Sequence, residues 1–173
     1  ERVRGEEVLA LVAHERDPQR RGRPRRTFLV CVRIGAPQPM VDVGGKPEQV
    51  RRAVAAGRLV CQPQTIAALK ERALPKGDAL TVARIAAIQG AKFTAHLIPL
   101  CHPLPLNHVA VDFEVREEEI AIRCEVSTRS VTGVEMEALT GVSIAALTLY
   151  DMMKSADKTM RIEGIALVIK VKQ

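Results

Sequence analysis

The chain has no tryptophan, one tyrosine and three phenylalanines among its 173 residues. So few rings leave little from which to build a base-stacking platform, which argues against nucleic acid as a partner. No stretch reaches the roughly 18 consecutive apolar residues of a membrane span, and no signal-peptide pattern opens the sequence. Neither a membrane nor a nucleic acid is therefore expected, and the cytoplasm is the expected location. Cys31, Cys61, Cys101 and Cys124 lie far apart and form no C-x-x-C. A chain of this length does not need disulfides, so they read as reduced thiols. Zinc would require closely spaced ligand pairs, and only Cys101 and His102 are adjacent. No metal ligand is assigned. Internal repeats and low-complexity tracts are absent as well.

What is present is an excess of positive charge, 26 Lys and Arg against 20 Asp and Glu, a formal +6. It points to an anionic partner: nucleic acid, a nucleotide phosphate or an acidic surface. About half the residues are hydrophobic, enough for a folded core.

Residues 1–14 read as a short amphipathic helix, with Val8, Leu9, Leu11 and Val12 on its apolar side. "ERDPQRRGRPRR" then reads as a solvated linker, broken by Pro18, Gly22 and Pro24. "TFLVCVRI" (27–34) has strand character. Residues 1–39 form an N-terminal extension of no evident role, and the main domain is expected over 40–173.

In that domain, Gly44-Gly45 mark a turn. Pro47 opens and Gly57 closes a predicted helix, followed by a short strand "RLVC". Further helices are expected over Pro63–Ala73 and from Asp78, a good N-cap, through "ALTVARIAAIQGAKFTAHL". "HVAVDFEV" and "EIAIRCEV" alternate apolar and polar residues and predict an antiparallel hairpin. A long helix, Val134 to Ala156, and a final strand "MRIEGIALVIKV" complete the order. From residue 57 the succession strand, helix, strand, strand, helix, strand predicts an α+β, ferredoxin-like split βαβ domain: an antiparallel sheet with helices packed on it. The long helix is apolar nearly all round, from Val134 to Met153, which predicts coverage by a second subunit.

Polar residues on that helix are the first functional candidates. Asp151, Lys154 and Lys158 fall at i, i+3 and i+7, either a surface ion-pair ladder or a functional stripe. Glu135 and Glu137 sit in the first turn, where the helix dipole favours carboxylates. About 24 Å of helix separates Glu135 from Asp151, so they can share a pocket only if a second chain brings the other end alongside. "PKGD" (75–78) sets Lys76 at a helix start, a possible phosphate seat or a plain helix beginning. "LIPLCHPLPL" (97–106) fixes His102 in a rigid proline loop. A metal ligand, a satisfied core histidine and a positioned substrate contact all remain open for it.

Together "MVDVGGKPEQVRRAVA", "KGDALTVARIAAIQGAK", "LIPLCHPLPL" and "TGVEMEALTGVSIAALTLYDMMKSADK", followed by a strand ending at Lys170, resemble the cyclic pyranopterin monophosphate synthase family. This is the molybdenum cofactor biosynthesis protein C family. The resemblance runs over about residues 40–170. It implies a lyase that converts 3′,8-cyclo-7,8-dihydroguanosine 5′-triphosphate to cyclic pyranopterin monophosphate and pyrophosphate. It further implies a homo-oligomer, a hexamer built as a trimer of dimers, with sites at subunit interfaces. Asp151 and Lys154 correspond to the family's acid/base carboxylate and catalytic lysine, with Lys76 joining them. Leu100, Cys101, His102, Glu135, Met136, Glu137, Arg51 and Lys170 correspond to substrate contacts. No cofactor is implied, although Mg²⁺ could accompany the triphosphate. Phe93 and Ser130-Val131 depart from the family pattern by removing positive charge, and the glycine- and lysine-rich tail expected after Lys170 is not in this sequence. A catalytically impaired homologue, retained as a nucleotide-binding or structural protein, is the alternative. An RNA-binding split βαβ domain is a third reading, favoured by charge and opposed by the missing aromatics.

Overall fold

The computed structural model describes residues 8–13, 28–33 and 39–173. The chain divides into two compact units, Glu1–Pro39 and Met40–Gln173. In the first, β1 (Val8–Ala13) pairs antiparallel with β2 (Phe28–Arg33), Val8 opposite Arg33 and Ala13 opposite Phe28. The helix expected over residues 1–14 is thus a strand where it is described. "VLALVA" is apolar at every position, and a short apolar run does not distinguish the two periods. The strand expected at 27–34 is present, whereas the linker read into 15–26 lies outside the described residues.

The second unit holds a four-stranded antiparallel sheet in the order β4-β5-β3-β6. Its strands are β3 (Gln49–Val60), β4 (His108–Val115), β5 (Glu119–Ser130) and β6 (Arg161–Lys172). Four helices accompany them: α1 (Pro63–Lys70), α2 (Ala79–Lys92), α3 (Thr94–Leu97) and α4 (Glu135–Met153). The domain is therefore α+β, and the hairpin, the long helix and the last strand lie where the pattern predicts.

One expectation fails here. The helix predicted between Pro47 and Gly57 is most of β3, which pairs with β5 from Gln49 opposite Ser130 to Val60 opposite Glu119. Alanine-rich sequence favours a helix locally, but a central strand bonded on both sides overrides that preference. Ala53, Ala55 and Leu59 alternate onto the buried face with Ile120, Ile122, Cys124 and Val126 of β5. Gly57 shares that face, and a Cβ there would meet Val142 Cγ1 and Ile165 Cγ1 at 2.9 Å each. Small residues let α4 lie directly on the sheet through Ala138, Val142, Ala145 and Leu149, all fully buried.

The other sheet face carries ion pairs both across and along its strands. Glu125 binds Arg52 and Arg123, and Glu163 binds Arg58 and Arg161. The Glu125 carboxyl is pulled down to about 2, first by its hydrogen bond from Arg52. Cys61, Cys101 and Cys124 are free thiols. Among the described residues no helix is long and apolar enough to cross a membrane.

Candidate functional site

The end of α4 brings together three of the predicted residues. Asp151 Oδ1 accepts from Lys154 Nζ at 2.7 Å, and Asp151 Oδ2 accepts from Lys76 Nζ at 2.6 Å. Lys76 also donates to the backbone carbonyl of Asp151 at 3.0 Å. The Asp151–Lys154 contact is the i, i+3 spacing read from the sequence. The Lys76 contact spans 75 positions and depends on the turn between α1 and α2. Leu74 is buried there, and Gly77, at φ +87°, takes a left-handed conformation that glycine adopts without strain. Asp78 then caps α2, accepting from Thr81 N at 3.0 Å and Thr81 Oγ1 at 2.8 Å. Lys76 thus reaches the carboxylate at the end of α4 from the turn before α2. Lys158 is not in this group: α4 ends at Met153, and the chain turns before reaching it.

The three side chains are about half exposed. Two ammonium groups on one carboxylate hold the Asp151 carboxyl at about 2, with the Lys154 hydrogen bond the larger cause and that of Lys76 next. The same contact raises Lys154, which stays charged. Both shifts keep the Asp151–Lys154 pair ionised near neutral pH.

The start of α4 carries the other group. Glu135 Oε1 lies 2.5 Å from Lys170 Nζ on β6. Burial pushes the Glu135 carboxyl up, but hydrogen bonds from Lys170 and its own backbone N–H, with the nearby Lys170 and Arg51 charges, bring it below the ordinary value. Glu137 behaves oppositely. It is 3% exposed, and burial drives its carboxyl above the ordinary value against the weaker pull of its hydrogen bonds. Cys101 Sγ donates to Glu137 Oε1 at 3.8 Å, while Glu137 Oε2 is buried with no hydrogen-bond partner among the described residues. Burial, with Glu137 alongside, pushes the Cys101 thiol up, which favours the neutral form.

Arg51 Nη2 donates to the Val131 carbonyl at 3.3 Å, and its Nε is buried without a partner among the described residues. His102 Nε2 lies 2.7 Å from the Val41 carbonyl oxygen, so that nitrogen carries the proton. Leu100 and Met136 are exposed, 56% and 39%. By helix rise this group lies about 24 Å from the Asp151 cluster within one chain.

A hollow of about 310 Å³ opens beside the start of α2, lined by Lys70, Arg72, Asp78, Thr81 and Arg84 among others. Size alone would draw attention to it, but none of the predicted site residues lines it. The paired polar chemistry lies at the ends of α4. One buried carboxylate escaped the sequence reading: Asp157, 3% exposed and bound by Gln62, Thr65 and Thr159. The D-x-T spacing of Asp157 and Thr159 was the available signal.

The sequence pattern of the MoaC family matches residues 40–172. The chain belongs to the MoaC family. It is 56% identical over 133 residues to "Cyclic pyranopterin monophosphate synthase" of Chloroflexus aurantiacus, covering 76% of this chain and 82% of that protein. A protein of the same name from Corynebacterium glutamicum is 53% identical over 142 residues, 82% of this chain and 91% of the relative. "Molybdenum cofactor biosynthesis bifunctional protein" of Chlorobaculum tepidum is 55% identical over 128 residues, 74% of this chain; the chain spans 41% of that relative's length. The MoaC match contains both groups of side chains.

Proposed function

We propose that this MoaC-family chain is a lyase of molybdenum cofactor biosynthesis. It converts 3′,8-cyclo-7,8-dihydroguanosine 5′-triphosphate to cyclic pyranopterin monophosphate and pyrophosphate. The observation that carries the reading is the Lys76–Asp151–Lys154 cluster within a chain of this family. Rearranging the purine requires several proton transfers, and Asp151 accepts and Lys154 donates once bound substrate parts their ion pair, since the paired groups are a weak base and a weak acid. Closing the cyclic phosphate requires a ribose hydroxyl to attack the α-phosphorus. The bond from that phosphorus to the β-phosphate oxygen breaks, pyrophosphate leaves, and the hydroxyl proton passes to a base. Lys76 holds Asp151 ionised and lends positive charge.

In this reading Arg51, His102 and Lys170 contact the phosphates, and Leu100, Cys101, Glu135, Met136 and Glu137 line the substrate. Magnesium entering with the triphosphate would stay on the phosphate oxygens and neutralise their charge. Among the described residues no three His, Cys, Asp or Glu side chains gather.

The strand order, with helices between the first two and last two strands, supports a ferredoxin-like topology for residues 40–173. Exposed Leu147 on α4 and Leu167, Val168 and Ile169 on the edge strand β6 support association of copies, in this reading a hexamer assembled as a trimer of dimers in the cytoplasm. Two chains side by side can bring one α4 end against the other. The impaired-homologue reading draws on Phe93, 47% exposed where the family pattern has a basic residue. Incubation with the cyclic nucleotide triphosphate separates the two. Pyrophosphate and the cyclic pterin are expected, and a purified oligomer that releases neither would overturn the lyase reading.

A further inference from the structure

Asp157 lies three residues beyond Lys154, in the turn after α4, and its carboxylate is fully engaged. Oδ2 accepts from the Gln62 backbone N–H at 2.9 Å and from Thr65 Oγ1 at 3.3 Å. Oδ1 accepts from Thr159 N at 2.8 Å and Thr159 Oγ1 at 2.7 Å. An ionised carboxylate offers about four acceptor positions, and here four donors use them. Burial pushes the group up, yet these hydrogen bonds hold it below the ordinary carboxylate value.

The contact closes a ring. Gln62 precedes α1 and supplies no side-chain cap of its own, so Asp157 anchors that helix from across the fold. From α1 the chain runs through residues 71–75 to Lys76, which returns to Asp151, one turn before Lys154. Asp157 meanwhile keeps its own backbone tied to α4 through its N–H on the Met153 carbonyl, 3.1 Å. Both backbone legs that carry the Lys–Asp–Lys cluster therefore meet at one buried carboxylate. We infer that Asp157 is a positioning residue, fixing where the Lys76 ammonium meets Asp151 and Lys154.

This inference rests on the lyase reading for its kinetic readout but not for its spectroscopic one. Asp157→Asn keeps the size but substitutes an amide nitrogen for one acceptor oxygen, so at least one leg is released. Measured per folded protomer, kcat should fall about 10- to 100-fold with KM changed less than about 2-fold, as expected when a reacting group is misplaced. The Asp151 carboxyl, followed by carbon NMR in full-length protein, should titrate higher as Lys76 leaves it. An anchor of purely structural importance would lower the thermal midpoint yet leave both readouts unchanged, and that result overturns the inference. Should Asp157→Asn not fold, Gln62→Pro carries the test. Gln62 has φ −72° and ψ 149°, which suit proline, and the change deletes the N–H donor. It should lower kcat about 3- to 10-fold and raise the Asp151 titration, and unchanged values for both again refute it. Wild-type protein that releases no pyrophosphate removes the lyase reading alone, since the Asp151 titration still decides the role of Asp157.

Discussion

Gly141 lies where α4 crosses β5, and replacing it by alanine tests how closely that helix is seated. A Cβ at this position would fall 2.6 Å from Cys124 Sγ and 3.4 Å from Cys124 Cβ. Cys124 is 0% exposed, so its sulfur has little room to retreat and α4 must lift or the thiol must rotate. Overpacking of this kind costs about 1–3 kcal/mol. Removing glycine from a helix interior contributes about 1 kcal/mol in the opposite direction. Gly141→Ala should therefore be destabilising by about 0–2 kcal/mol, although helix propensity alone predicts a gain. Cys124→Ala frees the space the new methyl needs, so in the double variant the clash vanishes and the helix gain remains. The two substitutions should couple favourably by about 1–3 kcal/mol. Urea unfolding at one fixed protein concentration measures the cycle, so that any association of copies weighs equally on every variant. A stabilised Gly141→Ala with strict additivity in the double variant would show that α4 does not approach the sheet this closely.

Lys154→Ala should retain the wild-type solution mass and circular dichroism but lose at least about 100-fold in pyrophosphate release; full turnover would remove Lys154 from the mechanism. Lys76→Ala leaves Asp151 with one ammonium, so its carboxyl, held at about 2 in the native protein, should titrate higher by carbon NMR. Glu137 has a raised carboxyl, so its contribution to stability is complete below the unfolded pKa and declines as pH rises through the folded one. Glu137→Gln should accordingly raise the thermal midpoint more at pH 8 than at pH 5, and an equal effect at both would contradict a carboxyl raised by burial.

The residues that announced themselves in the sequence were those whose local and global preferences agree. "HVAVDFEV" and "EIAIRCEV" alternate cleanly because one sheet face is buried under helices and the other carries charge. Asp151 and Lys154 were legible as a pair because one helical turn brings them together. β3 was misread because Pro47, the alanines and Gly57 make a coherent local case for a helix. Its period-two run Ala53, Ala55, Gly57, Leu59 reflects the approach of α4, a partner no local window contains. Lys158 was assigned to the helix stripe because nothing local marks the end of α4 at Met153, with Lys154 as the capping residue. Lys76 reaches Asp151 across 75 positions, so only family resemblance could join them in advance. Asp157 has no place in the sequence reading, because its burial depends on donors from Gln62 and Thr65 far away in sequence.

The two ends of α4 differ in what they still need. At the Asp151 end, the charged groups satisfy one another. At the Glu137 end, Glu137 Oε2 and Arg51 Nε are buried without partners among the described residues, which in a native fold calls for a ligand, water or another chain. One substrate cannot bridge about 24 Å along a single helix, so a site using both ends takes each from a different chain. Two individually inactive variants should then complement each other. In a two-fold pairing, mixed and reassembled Lys154→Ala and Glu137→Ala chains place an intact Lys154 opposite an intact Glu137 in about a quarter of sites. About a quarter of wild-type pyrophosphate release should return, whereas a site built within one chain would regain none, because every chain then carries one lesion.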